Sequence, residues 1–185
     1  MCFRPQRDIL RRTLALIGSK PKAPRSKESN NRMLENKLTK LGLTLPDAAA
    51  PAANYVPSMI HGDLLMISGQ LPLAAGKLVA TGKLGTDVSV EQGQEAARHC
   101  ALNILAQTQR AIEGNWDRFD RIIKLNSFVN SAPDFAEHHL VTNGASDLMV
   151  ELLDDVGRHA RSAVGVANLP LNAAVEIEAI IALKG

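Results

Sequence analysis

The sequence predicts an α+β fold: a single mixed β-sheet with two helices packed on one face. Three observations carry this. Short runs with a period of two, or rich in branched apolar residues, recur near Tyr55–Ile60, Leu64–Ser68, Arg121–Asn130, Ala160–Ala167 and Val175–Ile180. Two longer stretches read as helices, Val90–Ile112 and a second from Pro133 to about Val156. The resulting order, strands, helix, strand, helix, two strands, lets both helices cover one face. The other face is left partly apolar, and association between subunits would cover it.

The elements follow in order. Leu34, Leu38 and Leu41 share a stripe over Met33–Leu41, with Gly42 as the stop. Pro46, Pro51 and the alanines around them give an extended approach to the first strand. His61-Gly62-Asp63 is a turn between that strand and Leu64–Ser68, which Gly69 ends. Gly76, Gly82 and Gly85 punctuate a loop region with at most one short strand near Leu78-Val79. On the first long helix Ala97, Ala101, Ile104, Leu105, Thr108 and Ile112 recur at three- and four-residue steps. Ser89 caps it, with Gln92 completing a capping box. Gly114-Asn115 ends it, and Trp116 is placed to pack over that end. Asn143-Gly144 reads as a turn or a kink in the second helix, and Gly157 closes it.

The last two strands carry the sharpest pattern. Val164 and Val166 form one face of the first, and Arg161, Ala163, Gly165 and Ala167 the other. On the second, Val175, Ile177 and Ala179 oppose Glu176 and Glu178. Pro170 separates the two strands. If both apolar faces cover the same core, Arg161 and Glu176 share the other side of the sheet. A cation beside small residues and a carboxylate points to a small anionic ligand. By spacing alone, a structural ion pair between Glu176 and Arg161 is the favoured reading.

Composition bounds the rest. The 185 residues suit one domain, and an apolar share of 45% with only 3% aromatics leaves Leu, Ile, Val and Ala to fill the core. The net charge of +2 hides an asymmetry. Residues 1–32 hold nine Lys/Arg against two acids, net +7, leaving 33–185 at −5. The division expected is therefore a basic, disordered leader over 1–32 and a single domain over 33–185. An organelle-import segment, a nucleic-acid arm or a start codon placed too far upstream are the other readings of the leader. No apolar run nears the roughly 20 residues that span a bilayer. Cys2 and Cys100 form neither a disulfide framework nor a metal spacing, so reduced thiols in a cytoplasmic protein are expected. The histidines show no zinc spacing, and neither a nucleophile elbow nor a serine–histidine pairing that would support a hydrolase triad is legible.

Ala160-Arg161-Ser162, Leu169-Pro170 and Val175-Glu176-Ile177-Glu178 are similar to signature pieces of the Rid (reactive intermediate deaminase, YjgF) family. Ser68-Gly69-Gln70 before Leu71-Pro72, and Ile122-Ile123-Lys124 with Phe128-Val129 and Asp134-Phe135, match further pieces in the same order. The resemblance runs from about Pro51 to Ala182. It implies a chorismate-mutase-like fold and a homotrimer with clefts between subunits. The implied activity is hydrolysis of 2-imino and 2-enamino acids to 2-oxo acids and ammonia, with no cofactor or metal. Arg161 then clamps the substrate carboxylate and Glu176 handles the attacking water. Tyr55, Ser68 and Asn143 fall at cleft positions. Three departures mark a distinct branch: Ala163 stands where a cysteine is frequent, Tyr55 is followed by Val56-Pro57 where a glutamine is common, and Val141–His159 is longer than usual.

The chemistry suits these residue types. A guanidinium pairs bidentately with a carboxylate and stays charged at any working pH. A carboxylate beside a water can orient it and accept its proton. A rival from another class is a non-catalytic protein that binds small carboxylic acids in the same cleft. RNA cleavage or translational inhibition fits less well, since the −5 body and scarce aromatics give no phosphate-tracking groove.

Overall fold

The computed structural model describes residues 30–50 and 54–185, so most of the predicted leader lies outside the described residues. Helix α1 spans Asn30–Lys40, three residues earlier than Met33. The extension has a local cause. The Asn30 side-chain amide donates to the Trp116 carbonyl (3.3 Å), and the Trp116 N–H donates to Asn31 Oδ1 (3.2 Å). Leu34 and Leu38 are buried and Leu41 is exposed, so the short helix expected over Met33–Leu41 forms and packs on the core beside the two longer ones.

Helix α2 (Val90–Ala111) begins as its sequence requires. The Ser89 hydroxyl accepts from the Gln92 N–H (3.3 Å), and Gln92 Oε1 accepts from the Ser89 N–H (2.9 Å). Two of the helix's otherwise unpaired donors are thereby satisfied. Its apolar stripe, Ala97, Cys100, Ala101, Ile104 and Leu105, is fully buried. Cys100 is a fully buried core residue, and that burial pushes its thiol well above its ordinary range. Trp116 is buried past the end of α2, 5.7 Å from the Phe119 ring.

Strands β1 (Ser58–His61), β2 (Leu64–Gln70), β5 (Phe119–Asn130), β6 (Ala160–Val166) and β7 (Val175–Leu183) form one sheet in the order β1-β2-β7-β5-β6. Only β5 and β6 run parallel. Parallel neighbours need a crossover, and helix α3 (His138–Leu153) supplies it. The glycine-rich loop forms a small separate hairpin, β3 (Leu73–Ala74) with β4 (Lys77–Leu78). Its turn residues Ala75 and Gly76 both have positive φ, as a two-residue type I′ turn demands.

Helix α3 starts at His138 rather than at Pro133, and it runs through Asn143-Gly144 without a break. That glycine is neither turn nor kink. A Cβ there would strike the backbone carbonyl of Gln94, so Gly144 lets α3 cross α2 at close range. A 3-10 turn over Asp154–Gly157 leads into β6.

Leu65, Ile67, Leu125, Val129, Val175, Ile177 and Ile181 point from the sheet into the helical layer and are buried. The opposite face carries Met59, Leu64, Met66 and Val164, all exposed. Among the described residues no helix is long and apolar enough to cross a membrane.

Candidate functional site

Register decides where the predicted site residues point, because paired residues project from the same face of a sheet. Arg161 pairs with Leu125, which pairs with Ala179. All three face the helices. Glu176 pairs with Phe128, which pairs with Val164, and these face the open side. Arg161 and Glu176 therefore do not share a face of one chain, contrary to the sequence expectation. Strand β5 lies between theirs, and the two Cα positions are roughly 14 Å apart from strand spacing and rise. They form no ion pair either, so the structural alternative for Glu176 falls with the shared face.

The reason lies in β6. Its apolar residue Val164 looks outward and is 48% exposed, while Arg161, Ala163 and Gly165 lie under α3. Small side chains are needed there by the helix. A Cβ on Gly165 would collide with His138 Nε2 and Ser131 Oγ. Polar contacts replace the usual apolar packing. Ser131 Oγ lies 3.0 Å from His138 Nε2, and the Thr142 and Ser127 hydroxyls are 3.0 Å apart.

Two groups of residues result. The first lies between α3 and β6. Arg161 Nη1 donates to Ser146 Oγ (3.0 Å) and Nη2 donates to the His139 carbonyl (3.0 Å). Ser146 Oγ is also 3.0 Å from His159 Nε2, whose Nδ1 is 2.6 Å from the Gly157 carbonyl. Burial lowers the pKa of His159, and the Arg161 charge acts in the same direction. Asn143 lies one turn from His139 and one from Ser146, on the same stripe of α3. Ala163 is two residues along β6 from Arg161, on the same face. Arg161, Asn143 and Ala163 thus all lie where α3 and β6 face each other.

The second group lies where β2 meets β7. Glu176 is half-buried, and its carboxylate occupies the space a side chain at Gly69 would fill. Burial raises the Glu176 pKa, and the neighbouring Glu178 charge adds to the shift. Glu178 is engaged elsewhere: its Oε1 accepts from Asn126 Nδ2 (2.7 Å). The strand register slips between Ile67 and Gln70, so Ser68 and Gly69 form a bulge beside Glu176. The Ser68 hydroxyl donates to the Val56 carbonyl (2.8 Å), which ties the bulge to the segment carrying Tyr55. Tyr55 is 47% exposed and lines, with Gly69 and Gln70, a cavity of about 60 Å³. Glu176, Ser68 and Tyr55 are thus the second set.

Sequence reading missed Ser146 and His159 as partners of Arg161. It saw no serine–histidine pairing that would support a hydrolase triad; among the described residues the fold makes two serine–histidine contacts, Ser131–His138 and Ser146–His159. The partners are seven and thirteen residues apart and meet only through α3 packing. The Ser146–His159 pair is not built as a hydrolase triad, since His159 Nδ1 faces a carbonyl rather than a carboxylate.

A mixed sheet with helices on one face, an open opposite face and a β5–α3–β6 crossover defines an α+β protein of chorismate-mutase-like fold. Comparison with known proteins takes this further. Residues 35–182 match the family described as YjgF/chorismate mutase-like, putative endoribonuclease. The chain is 52% identical to Protein TCP17 of Trypanosoma cruzi over 148 residues, 80% of this chain and 92% of that one. It is 28% identical to the 2-iminobutanoate/2-iminopropanoate deaminase of Dermatophagoides farinae, over 77% of this chain and 95% of that one. A crystal structure of an Agrobacterium tumefaciens protein of unknown function superposes with a TM-score of 0.78. It is 51% identical and covers 84% of this chain and 96% of its own. The chain belongs to the YjgF/Rid family.

Proposed function

We propose that this protein is a cofactor-independent deaminase. It hydrolyses 2-imino and 2-enamino acids to 2-oxo acids and ammonia, in sites shared between subunits of a homotrimer. The observation that carries the reading is the fixed guanidinium of Arg161. Two of its N–H groups are held by α3, and three of its five donors remain for a carboxylate. The similarity to an iminobutanoate deaminase supplies the reaction class.

In this reading Arg161 binds the substrate carboxylate, with Asn143 and Ala163 beside it. Glu176 of a neighbouring chain orients a water and accepts its proton as the water oxygen adds to the protonated imine carbon. That proton passes to the amino nitrogen of the tetrahedral adduct; the carbon–nitrogen bond then breaks as Glu176 takes the hydroxyl proton, so the oxygen closes to the carbonyl and ammonia leaves. An enamine first takes a proton on carbon. The raised pKa of Glu176, from its burial and the neighbouring Glu178 charge, suits a group that both gives and takes protons. Tyr55 and Ser68 border the water. The exposed apolar residues of the open sheet face supply the contact between subunits.

The test generates 2-aminoacrylate with a dehydratase and times pyruvate release. Acceleration by the purified protein, lost in Arg161→Ala, is the expected result. Equal rates with and without protein would defeat the enzymatic reading.

A second reading, capture of small carboxylic acids without turnover, is favoured by Ala163 at the position where the family often carries a cysteine. It predicts calorimetric binding of 2-oxo acids with no substrate consumed.

A further inference from the structure

Arg161 is the outer end of a directed hydrogen-bond chain. The Gly157 carbonyl can only accept, so His159 Nδ1 carries the ring proton at 2.6 Å from it. In the neutral ring Nε2 is then an acceptor. The Ser146 hydroxyl, 3.0 Å away, donates to it. With its hydrogen committed, the Ser146 oxygen presents its lone pairs to Arg161 Nη1, also at 3.0 Å. Each link fixes the direction of the next. Burial of the His159 ring favours the neutral form that the chain requires.

A serine hydroxyl is otherwise a free rotor. Without an acceptor behind it, Ser146 could turn its hydrogen toward the guanidinium and lose the contact. His159 removes that freedom, and the His139 carbonyl holds the second nitrogen of the fork at 3.0 Å. The guanidinium plane is thereby set from two points on α3, which matters because bidentate recognition of a carboxylate depends on that plane.

We propose that Ser146 and His159 are positioning residues for Arg161, orienting its guanidinium for carboxylate recognition through the relay Gly157 carbonyl, His159, Ser146, Arg161. The proposal rests on the reading of Arg161 as the carboxylate-binding group. It concerns the Val141–His159 stretch, and both residues act through Arg161.

The experiment measures binding of 2-oxobutanoate to the full chain by calorimetry, and KM and kcat in the aminoacrylate assay, with thermal melting as a check on folding. Ser146→Ala should weaken binding about tenfold, the value of one hydrogen bond to a charged group. Ser146→Thr keeps the hydroxyl and should restore it. His159→Ala should weaken binding, and His159→Gln, which keeps an acceptor for the Ser146 hydroxyl, should recover most of it. In each case KM should rise with kcat little changed, a split that general loosening of the fold would not give. If Arg161→Ala abolishes binding while Ser146→Ala and His159→Ala bind as wild type, or if the rescuing variants are as weak as the alanines, the positioning role is overturned and the Arg161 reading stands. If Arg161→Ala binds as tightly as wild type, the Arg161 reading itself fails, and the relay with it.

Discussion

Arg161 and Glu176 project from opposite faces of one sheet, with β5 between their strands. The separation is fixed by register, and no rotamer change brings the two groups together within a chain. A site that uses both must draw them from two chains.

That requirement gives a subunit-complementation test. Arg161→Ala and Glu176→Gln should each be inactive alone. Co-expressed in equal amounts, they should recover activity in about a quarter of the sites, the share in which an intact arginine meets an intact glutamate under random closed assembly. Assay of the mixed oligomer for pyruvate release checks this. No recovery in a verified mixed oligomer would place the two groups in separate functions.

Gly69→Ala tests Glu176 without deleting it. The added Cβ would occupy the place of the Glu176 carboxylate, which must swing away. The expected result is a fall in kcat of about 10²-fold, the lower end for a lost general base. Oxo-acid affinity, set by Arg161 in the other group, should stay unchanged. Unaltered kcat would remove Glu176 from the reaction.

Much of this architecture is local enough to be read from the chain. Ser89 and Gln92 announce the α2 start because a capping box is complete within four residues. The alternation Val175, Ile177, Ala179 shows which face of β7 is buried, since that strand lies inside the sheet. The same logic failed on β6. An edge strand of Ala, Gly, Ser and Val has two faces of similar polarity, and polar contacts with α3 decided which turned inward. Asn143-Gly144 misled for a related reason. The dipeptide has the chemistry of a turn, but the glycine answers to a neighbouring helix that sequence spacing cannot show. The assignment of Arg161 to a carboxylate came from family resemblance, and its supports Ser146 and His159 came from the fold.

Glu176→Gln should stabilise the protein at neutral pH. A glutamate whose folded pKa is raised holds its proton more tightly folded than unfolded. Stability therefore falls as pH rises from the ordinary glutamate range through the raised folded value, and the penalty persists above it. Glutamine carries no such penalty. The urea midpoint of the variant should exceed that of wild type at about pH 7.5, and the gap should narrow as pH falls toward the ordinary glutamate range and wild-type Glu176 gains its proton. A variant less stable than wild type at neutral pH would mean that the carboxylate has a favourable partner.

Gly144→Ala gives a prediction whose sign is informative. In an exposed helix interior, replacing glycine with alanine gains up to about 1 kcal/mol, because the unfolded chain loses freedom and helix propensity rises. Gly144 lies inside α3, where that gain would apply. Yet its missing Cβ is what admits the Gln94 carbonyl of α2, a backbone atom that cannot move without displacing its helix. Overpacking of this kind costs about 1–3 kcal/mol, so the net change should be destabilising. For a chain of this size the melting temperature should fall by about 2–4 °C for each kcal/mol lost. Because α3 also carries Ser146, a forced shift of the helix should weaken oxo-acid binding in the same variant. A melting temperature above that of wild type would show that α2 and α3 do not cross as closely as Gly144 allows.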